Sequence, residues 1–183
     1  MFIMFSEMKS AIEKAYVAED HSFFISKCKR KFDFMDKLLE ISRVHYENVN
    51  MRDDVGEPSA EVYFDLNDFV QGEFKVKYTS VLLISKICEV FSLQHEFAVD
   101  NVDPSRMGSV LDGFGDQSYT RQQYDLDNLI TDFLQSKNYK RLKYTEMEEV
   151  IPAVDMPKDS IFGSQMTVAN ALFRDVWNIC PES

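Results

Sequence analysis

Glycine, cysteine and histidine are scarce in this 183-residue chain, at six, three and three residues. No glycines fall in a phosphate-cradling spacing, so neither a P-loop nor a dinucleotide-binding fingerprint is present, and Gly113-Phe114-Gly115 reads as a turn. Cys28, Cys88 and Cys180 are odd in number and widely spaced, which argues against a disulfide framework. They fit a reducing cytosol, with Cys28 and Cys88 as small core residues on apolar helix faces. No His-Cys or Cys-Cys pair has metal-ligand spacing, and Asp100, Asp103, Asp112 and Asp116 follow no calcium-loop pattern, so neither metal nor cofactor is expected. No serine stands in a Gly-x-Ser-x-Gly elbow, and Cys88 lies in an apolar run that disfavours a thiolate. No apolar run approaches the roughly 18 residues of a membrane span. The apolar opening Met1–Phe5 stops at Glu7, with no basic stretch before it and no cleavage site after it, so a leader is not expected. These features point to a cytoplasmic protein.

What the chain has is apolar bulk and negative charge. Fifteen Phe and eight Tyr can furnish a core without staples, and a composition that is 45% hydrophobic excludes disorder. The net charge is −11, and it is unevenly spread. Residues 1–50 balance eight acids against eight bases, whereas residues 51–183 hold twenty-three acids and twelve bases. From Glu96 to Asp132 eight acids face only Arg106 and Arg121. Such a stretch repels phosphate, so direct nucleic-acid binding is not expected; it attracts a basic protein.

Periodicity predicts helices over 2–17 and from Ser22 to Asn48, the second about 40 Å long, forming a hairpin. The Lys27, Lys29, Arg30 and Lys31 run fans over several faces of that helix and serves solubility. Residues 51–59 read as loop. Val62, Phe64 and Leu66, then Phe74, Val76 and Tyr78, alternate as strands, with Gln71-Gly72 as the turn. A third helix is expected from Thr79 or Ser80 to Cys88. Phe91, Leu93, His95, Phe97 and Val99 alternate strictly and predict a strand. Residues 100–119 read as a long loop pinned by Met107, Val110, Leu111, Phe114 and Tyr119; loops of this length are usually functional or disordered. Thr120 with Gln123 forms a capping box for a fourth helix carrying Leu126, Leu129, Ile130, Phe133 and Leu134. A short strand near Tyr139–Tyr144 and a last helix from Thr167, with Val168, Ala171, Leu172, Val176 and Ile179, complete the order. The expected fold is α+β, helix-rich, with a small, mainly antiparallel sheet packed against helices. A single domain over 1–183 is expected, its N-terminal helical hairpin (about 2–48) packed on the α+β remainder.

His21 and His45 read as capping or surface residues. His95 shares its strand face with apolar neighbours and reads as a core histidine held by a hydrogen bond. A partner contact from a strand edge, or a catalytic or metal role, are the alternatives. Phe114 and Tyr119 offer apolar anchors among the acids, the mixture that tight interfaces use.

The runs Leu93-Gln94-His95-Glu96-Phe97, Asp100-Asn101-Val102-Asp103-Pro104 and Leu111-Asp112-Gly113-Phe114 resemble bacterial immunity proteins, the cognate antitoxins of contact-dependent growth inhibition and related polymorphic toxin systems. Such proteins share no common signature and differ in fold, so no binding residue carries over. The resemblance implies a cytoplasmic protein that binds the C-terminal domain of a toxin, often a nuclease with a basic active face. Charge and resemblance together give the expectation of a toxin inhibitor that is not an enzyme. Its contacts would be Asp100, Asp103, Asp112, Phe114, Asp116 and Tyr119. The alternatives are a small enzyme using His95 with nearby carboxylates, and a structural or adaptor subunit. Oligomeric state is not legible.

Overall fold

The computed structural model describes residues 5–101, 103, 105, 111–158, 163–178 and 180. Three short helices come first: α1 (Ser6–Ile12), which runs into a π-helical turn (Glu13–Val17), α2 (His21–Cys28) and α3 (Met35–Ser42). The strands β1 (Asn48–Arg52), β2 (Ser59–Asp65), β3 (Phe69–Gln71), β4 (Phe74–Ser85), β5 (Val90–Asn101) and β6 (Leu111–Gly115) follow. Next come α4 (Arg121–Ser136), β7 (Lys140–Arg141) and α5 (Tyr144–Met147), then β8 (Val150–Asp155), β9 (Gln165–Thr167) and α6 (Val168–Phe173).

β4 and β5, twelve residues each, form the antiparallel spine of a seven-stranded sheet in the order β1-β2-β4-β5-β6. β3 continues the β2 side along β4, and β7 pairs in parallel with the start of β5. β8 and β9 form a separate ribbon.

Two cores flank this spine. On one sheet face, Val62, Phe64, Leu82, Ile84, Phe91 and Leu93 meet Met35 and Leu38 of α3 and Leu126, Ile130 and Leu134 of α4. The other core gathers α1, α2, the β4–β5 turn (Ile87, Cys88) and the C-terminal elements around Met166, Val168 and Leu172. The last carbonyls of a short helix have no intrahelical donor. In α6, three distant hydroxyls supply donors: Tyr16 to Ala171 O at 2.8 Å, Ser85 to Leu172 O at 2.8 Å and Ser59 to Phe173 O at 2.9 Å.

The α+β class stands, but the sheet is the dominant element rather than a small one. The helix expected over Ser22–Asn48 is two helices followed by β1. The expected stripe, Ile25, Cys28, Phe32, Met35 and Leu39, is continuous in sequence but serves both cores: Cys28 enters one, with Phe24 rather than Ile25 beside it, and Phe32 and Met35 enter the other, with Leu38 rather than Leu39 fully buried. The chain must bend between them, and it does so after Cys28. The helix expected over Thr79–Cys88 is the second half of β4. This half of β4 carries Leu82 and Ile84 on the core face and Val81 and Leu83, half-buried, on the other, so it reads as an unbroken apolar run, which periodicity cannot distinguish from a buried helix. Gln71-Gly72 lies at the expected turn, Gly72 adopting φ +60°, yet it joins β3 to β4, while β2 pairs with the distal half of β4. Residues 100–119, expected as loop, contain β6. The last helix stops at Phe173. Residues 2–4, Met107, Val110 and Ile179, which carried parts of these expectations, lie outside the described residues.

Cys28 and Cys88 are buried as expected, but Cys28 is disulfide-bonded to Cys180, with Cα atoms 6.5 Å apart. A separation of 152 residues concealed the pairing, because only folding returns the C-terminal segment to α2.

Lys86, in the turn after β4, is fully buried. Its ammonium contacts Asp53 Oδ1 at 2.8 Å and donates to Asp54 O at 2.7 Å and Cys28 O at 3.4 Å, tying the β1–β2 connection to α2. A buried ion pair is costly to break, because the surviving charge loses both water and partner. Lys86→Met keeps the aliphatic stem and removes the donor. It is expected to cost about 3 kcal/mol, measured by urea denaturation.

Candidate partner-binding face and the buried His95 network

The β5 alternation places Phe91, Leu93 and His95 on the core face. Each ring nitrogen of the fully buried His95 has a partner: Nδ1 lies 2.8 Å from Ser80 Oγ, and Nε2 lies 2.8 Å from Asp127 Oδ2. A carboxylate only accepts, so Nε2 carries the proton that faces Asp127, and in the neutral ring Nδ1 accepts from the Ser80 hydroxyl. Arg141 from β7 grips the same carboxylate at both oxygens, at 2.6 and 2.8 Å, and donates to Leu93 O at 3.0 Å. Burial alone would raise the Asp127 carboxyl, but the hydrogen bonds from His95 and Arg141 outweigh it and hold the group below the usual carboxylate range.

The constellation Ser80–His95–Asp127 has the residue types of a hydrolytic triad but not its access. Ser80 and His95 have no exposed surface, so neither can touch a substrate. The observation that brought His95 forward therefore describes a structural clamp between β4, β5, α4 and β7. Among the described residues, no group of three or more His, Cys, Asp or Glu side chains could hold a metal ion.

The opposite sheet face is open across much of its width. Residues directly opposite in an antiparallel sheet share a face, so register alone lays out this surface. One row crosses five strands as Asn48, Asp65, Thr79, Glu96 and Phe114. The next reads Asn50, Tyr63, Val81 and Gln94, and on the other side of the first lie Lys77, Ala98 and Asp112. All are half-buried or exposed. Near the β6 edge a concavity of about 380 Å³ is lined by Lys77, Thr79, Glu96, Ala98, Asp112 and Phe114, among others. Glu61, Asp65, Glu96, Asp100 and Asp112 outnumber Arg52, Lys75 and Lys77 on this face, and Lys77 is already paired with Asp100 at 2.6 Å. Desolvation against the sheet raises the Glu96 carboxyl.

The six residues expected as contacts do not form one patch. Asp112 and Phe114 lie on the open face, and Phe114 is 58% exposed with its ring edge-on to Tyr144. Asp100, opposite Lys75, lies on the same face but is held in its pair with Lys77. Asp103 accepts from the Ser105 backbone and hydroxyl, which holds its carboxyl low. Asp116 accepts from the Tyr144 N–H with both oxygens at 2.9 Å, anchoring the first residue of α5. Tyr119 packs on Phe97 at 4.7 Å between centroids, on the reverse face. Sequence reading placed Glu96 on the face opposite His95 but named neither it nor Glu61, Tyr63 and Asp65 as contacts. The period-2 pattern of β2 and β5 carried that information, since the polar alternates must share the side away from the core.

The chain matches no protein-family model, no curated protein and no solved structure. No described helix is long and apolar enough to cross a membrane.

The clamp generates two expectations. Asp127→Ala leaves Arg141 and His95 without their acceptor and should cost about 2–3 kcal/mol in chemical denaturation. Because the folded Asp127 value is depressed, its contribution is complete above the unfolded value of about 3.9 and is lost as pH falls through the folded value. An acid titration of stability should therefore show a smaller loss below about pH 4 in Asp127→Asn than in the wild-type protein.

Proposed function

We propose that the protein is a cytoplasmic immunity protein that binds the C-terminal domain of a cognate bacterial toxin and neutralises it, through the acidic open face of its sheet. The observation that carries this reading is the row Asp65, Thr79, Glu96 and Phe114 with Asp112 beside it: carboxylates around an exposed aromatic, on a rigid sheet. A toxin that cleaves nucleic acid must attract phosphate, so its working surface is basic. An acidic face complements that surface, speeds encounter and disfavours partners of the wrong charge. The resemblance in the β5–β6 stretch agrees with this reading. In a reducing cytoplasm Cys28 and Cys180 would stand as neighbouring thiols.

The test is co-expression with the product of the adjacent upstream gene, followed by calorimetry on the purified toxin domain. A stoichiometric complex that weakens steeply with added salt is the expected result. No complex at micromolar concentration overturns the reading. Within such a complex, the double reversal Glu96→Lys with Asp112→Lys should weaken binding by roughly 100-fold and flatten the salt dependence. Asp116→Asn should instead lower stability, because that carboxylate is engaged by the α5 backbone.

A further inference from the structure

β6 closes the sheet on one side: among the described residues it pairs with β5 alone. An outer strand presents unpaired backbone donors and acceptors, and native edges are commonly blunted by lysine, proline or bulges. Leu111-Asp112-Gly113-Phe114-Gly115 has none of these, and its register with β5 is unbroken from His95 to Val99.

Its side chains are unusual on both faces. Phe114 points to the open face beside Glu96. Leu111, 60% exposed, points to the reverse face. There it ends a row that runs through Val99 and Val76 to Phe69, itself 53% exposed. Large apolar side chains aligned across four strands at one sheet end are the mark of an interaction surface. Gly113 completes the device, because a Cβ there would lie 2.6 Å from the Phe97 ring, so the edge backbone lies directly on that aromatic.

The charge of this end selects the occupant. Asp68, Glu73, Asp100 and Asp112 are set against Lys75 and Lys77, and these lysines pair with Asp68 and Asp100. A second copy would bring the same excess of acid to the contact and be repelled. The opposite edge strand, β1, has exposed apolar residues in Val49 and Met51, but Asn48, Asn50 and Arg52 on its open face give it a base and no carboxylate.

We propose that β6 is a strand-addition site: an extended segment of the partner, alternating basic and apolar residues, pairs with the outer side of the β6 backbone. Its apolar side chains cover Leu111 and Val99, and its basic ones meet Asp112 and Glu96. Main-chain pairing supplies affinity and the alternate side chains supply selectivity. The proposal rests on the toxin-neutralising reading only for the source of that segment.

Amide hydrogen exchange on the full chain tests it. The probes are capped peptides long enough to span β6: alternating lysine and valine, alternating glutamate and valine, and the lysine–valine peptide N-methylated at every second residue. The lysine–valine peptide should slow exchange within Leu111–Gly115 by roughly tenfold or more, and the other two should not. The effect should disappear in Leu111→Lys with Phe114→Lys. Unchanged β6 exchange with the lysine–valine peptide, or equal protection by its N-methylated form, overturns strand addition. Exchange on the complex with the upstream toxin domain separates the two claims. A complex with unprotected β6 amides sinks strand addition and leaves toxin neutralisation standing. Peptide protection without any toxin complex does the reverse.

Discussion

The architecture depends on one carboxylate. Asp127 on α4 receives His95 from β5 and Arg141 from β7, while His95 reaches Ser80 on β4 and Arg141 also holds the Leu93 carbonyl. Four elements are tied together through a carboxylate that burial alone would raise. It stays ionised because each of its oxygens is hydrogen-bonded by a charged or polar donor. A half-satisfied network of this kind would be worse than an apolar core, so its members stand or fall together. Beside it Gln123 supports the same junction. Its side-chain oxygen accepts from the Tyr119 and Thr120 backbone, and its amide donates to Thr79 O and Glu96 O. The capping box of α4 thus also sets the position of that helix over the β4–β5 pair.

Fixing α4 on one face decides what the other face is. The apolar alternates of β2, β4 and β5 are used by α3 and α4, so their polar alternates are all delivered to the opposite side. The acidic row there is a consequence of register. Thr79 lies opposite Glu96 because Ser80 lies opposite His95, one step along the same ladder. The clamp and the candidate face are therefore two sides of one pairing. A slip of one residue would drive Glu96 into the core and His95 out of it.

Much of this was legible in the sequence, and the rest was hidden for definable reasons. The strict alternation around His95 placed β5, and Thr120 with Gln123 placed the start of α4, because both signals are local. The Val81–Ser85 run defeated the same reasoning, since a strand with apolar side chains on both faces loses its period. The stripe from Ile25 to Leu39 misled for the opposite reason: its period is genuine, but Cys28 belongs to one core and Phe32 and Met35 to the other. Of the expected contacts, Asp100, Asp112 and Phe114 reached the open face, Asp100 in its pair with Lys77. Asp116 and Tyr119 did not, because a carboxylate or ring in an irregular segment can be taken by the nearest backbone or aromatic, here Tyr144 and Phe97. Charge clustering along the chain located the acidic region without showing which acids were already engaged.

A rigid sheet is a better platform for an acidic recognition surface than the long loop that the sequence suggested. Ordering a loop on binding costs roughly 1–2 kcal/mol for each residue whose backbone is fixed. Carboxylates on paired strands carry that cost in the folding of the protein instead. Their mutual repulsion is then held by the β4–β5 ladder and relieved only when basic groups arrive. The two parts of the charge also act at different stages. The net −11 of the whole chain acts at distance and sets the rate of encounter, which salt screens. In the proposed complex, Glu96, partly desolvated against the sheet, and Phe114 beside it would act at contact and set the rate of departure. A partner selected by both must be basic overall and must also fit the row from Asp65 to Phe114, a stricter demand than charge alone.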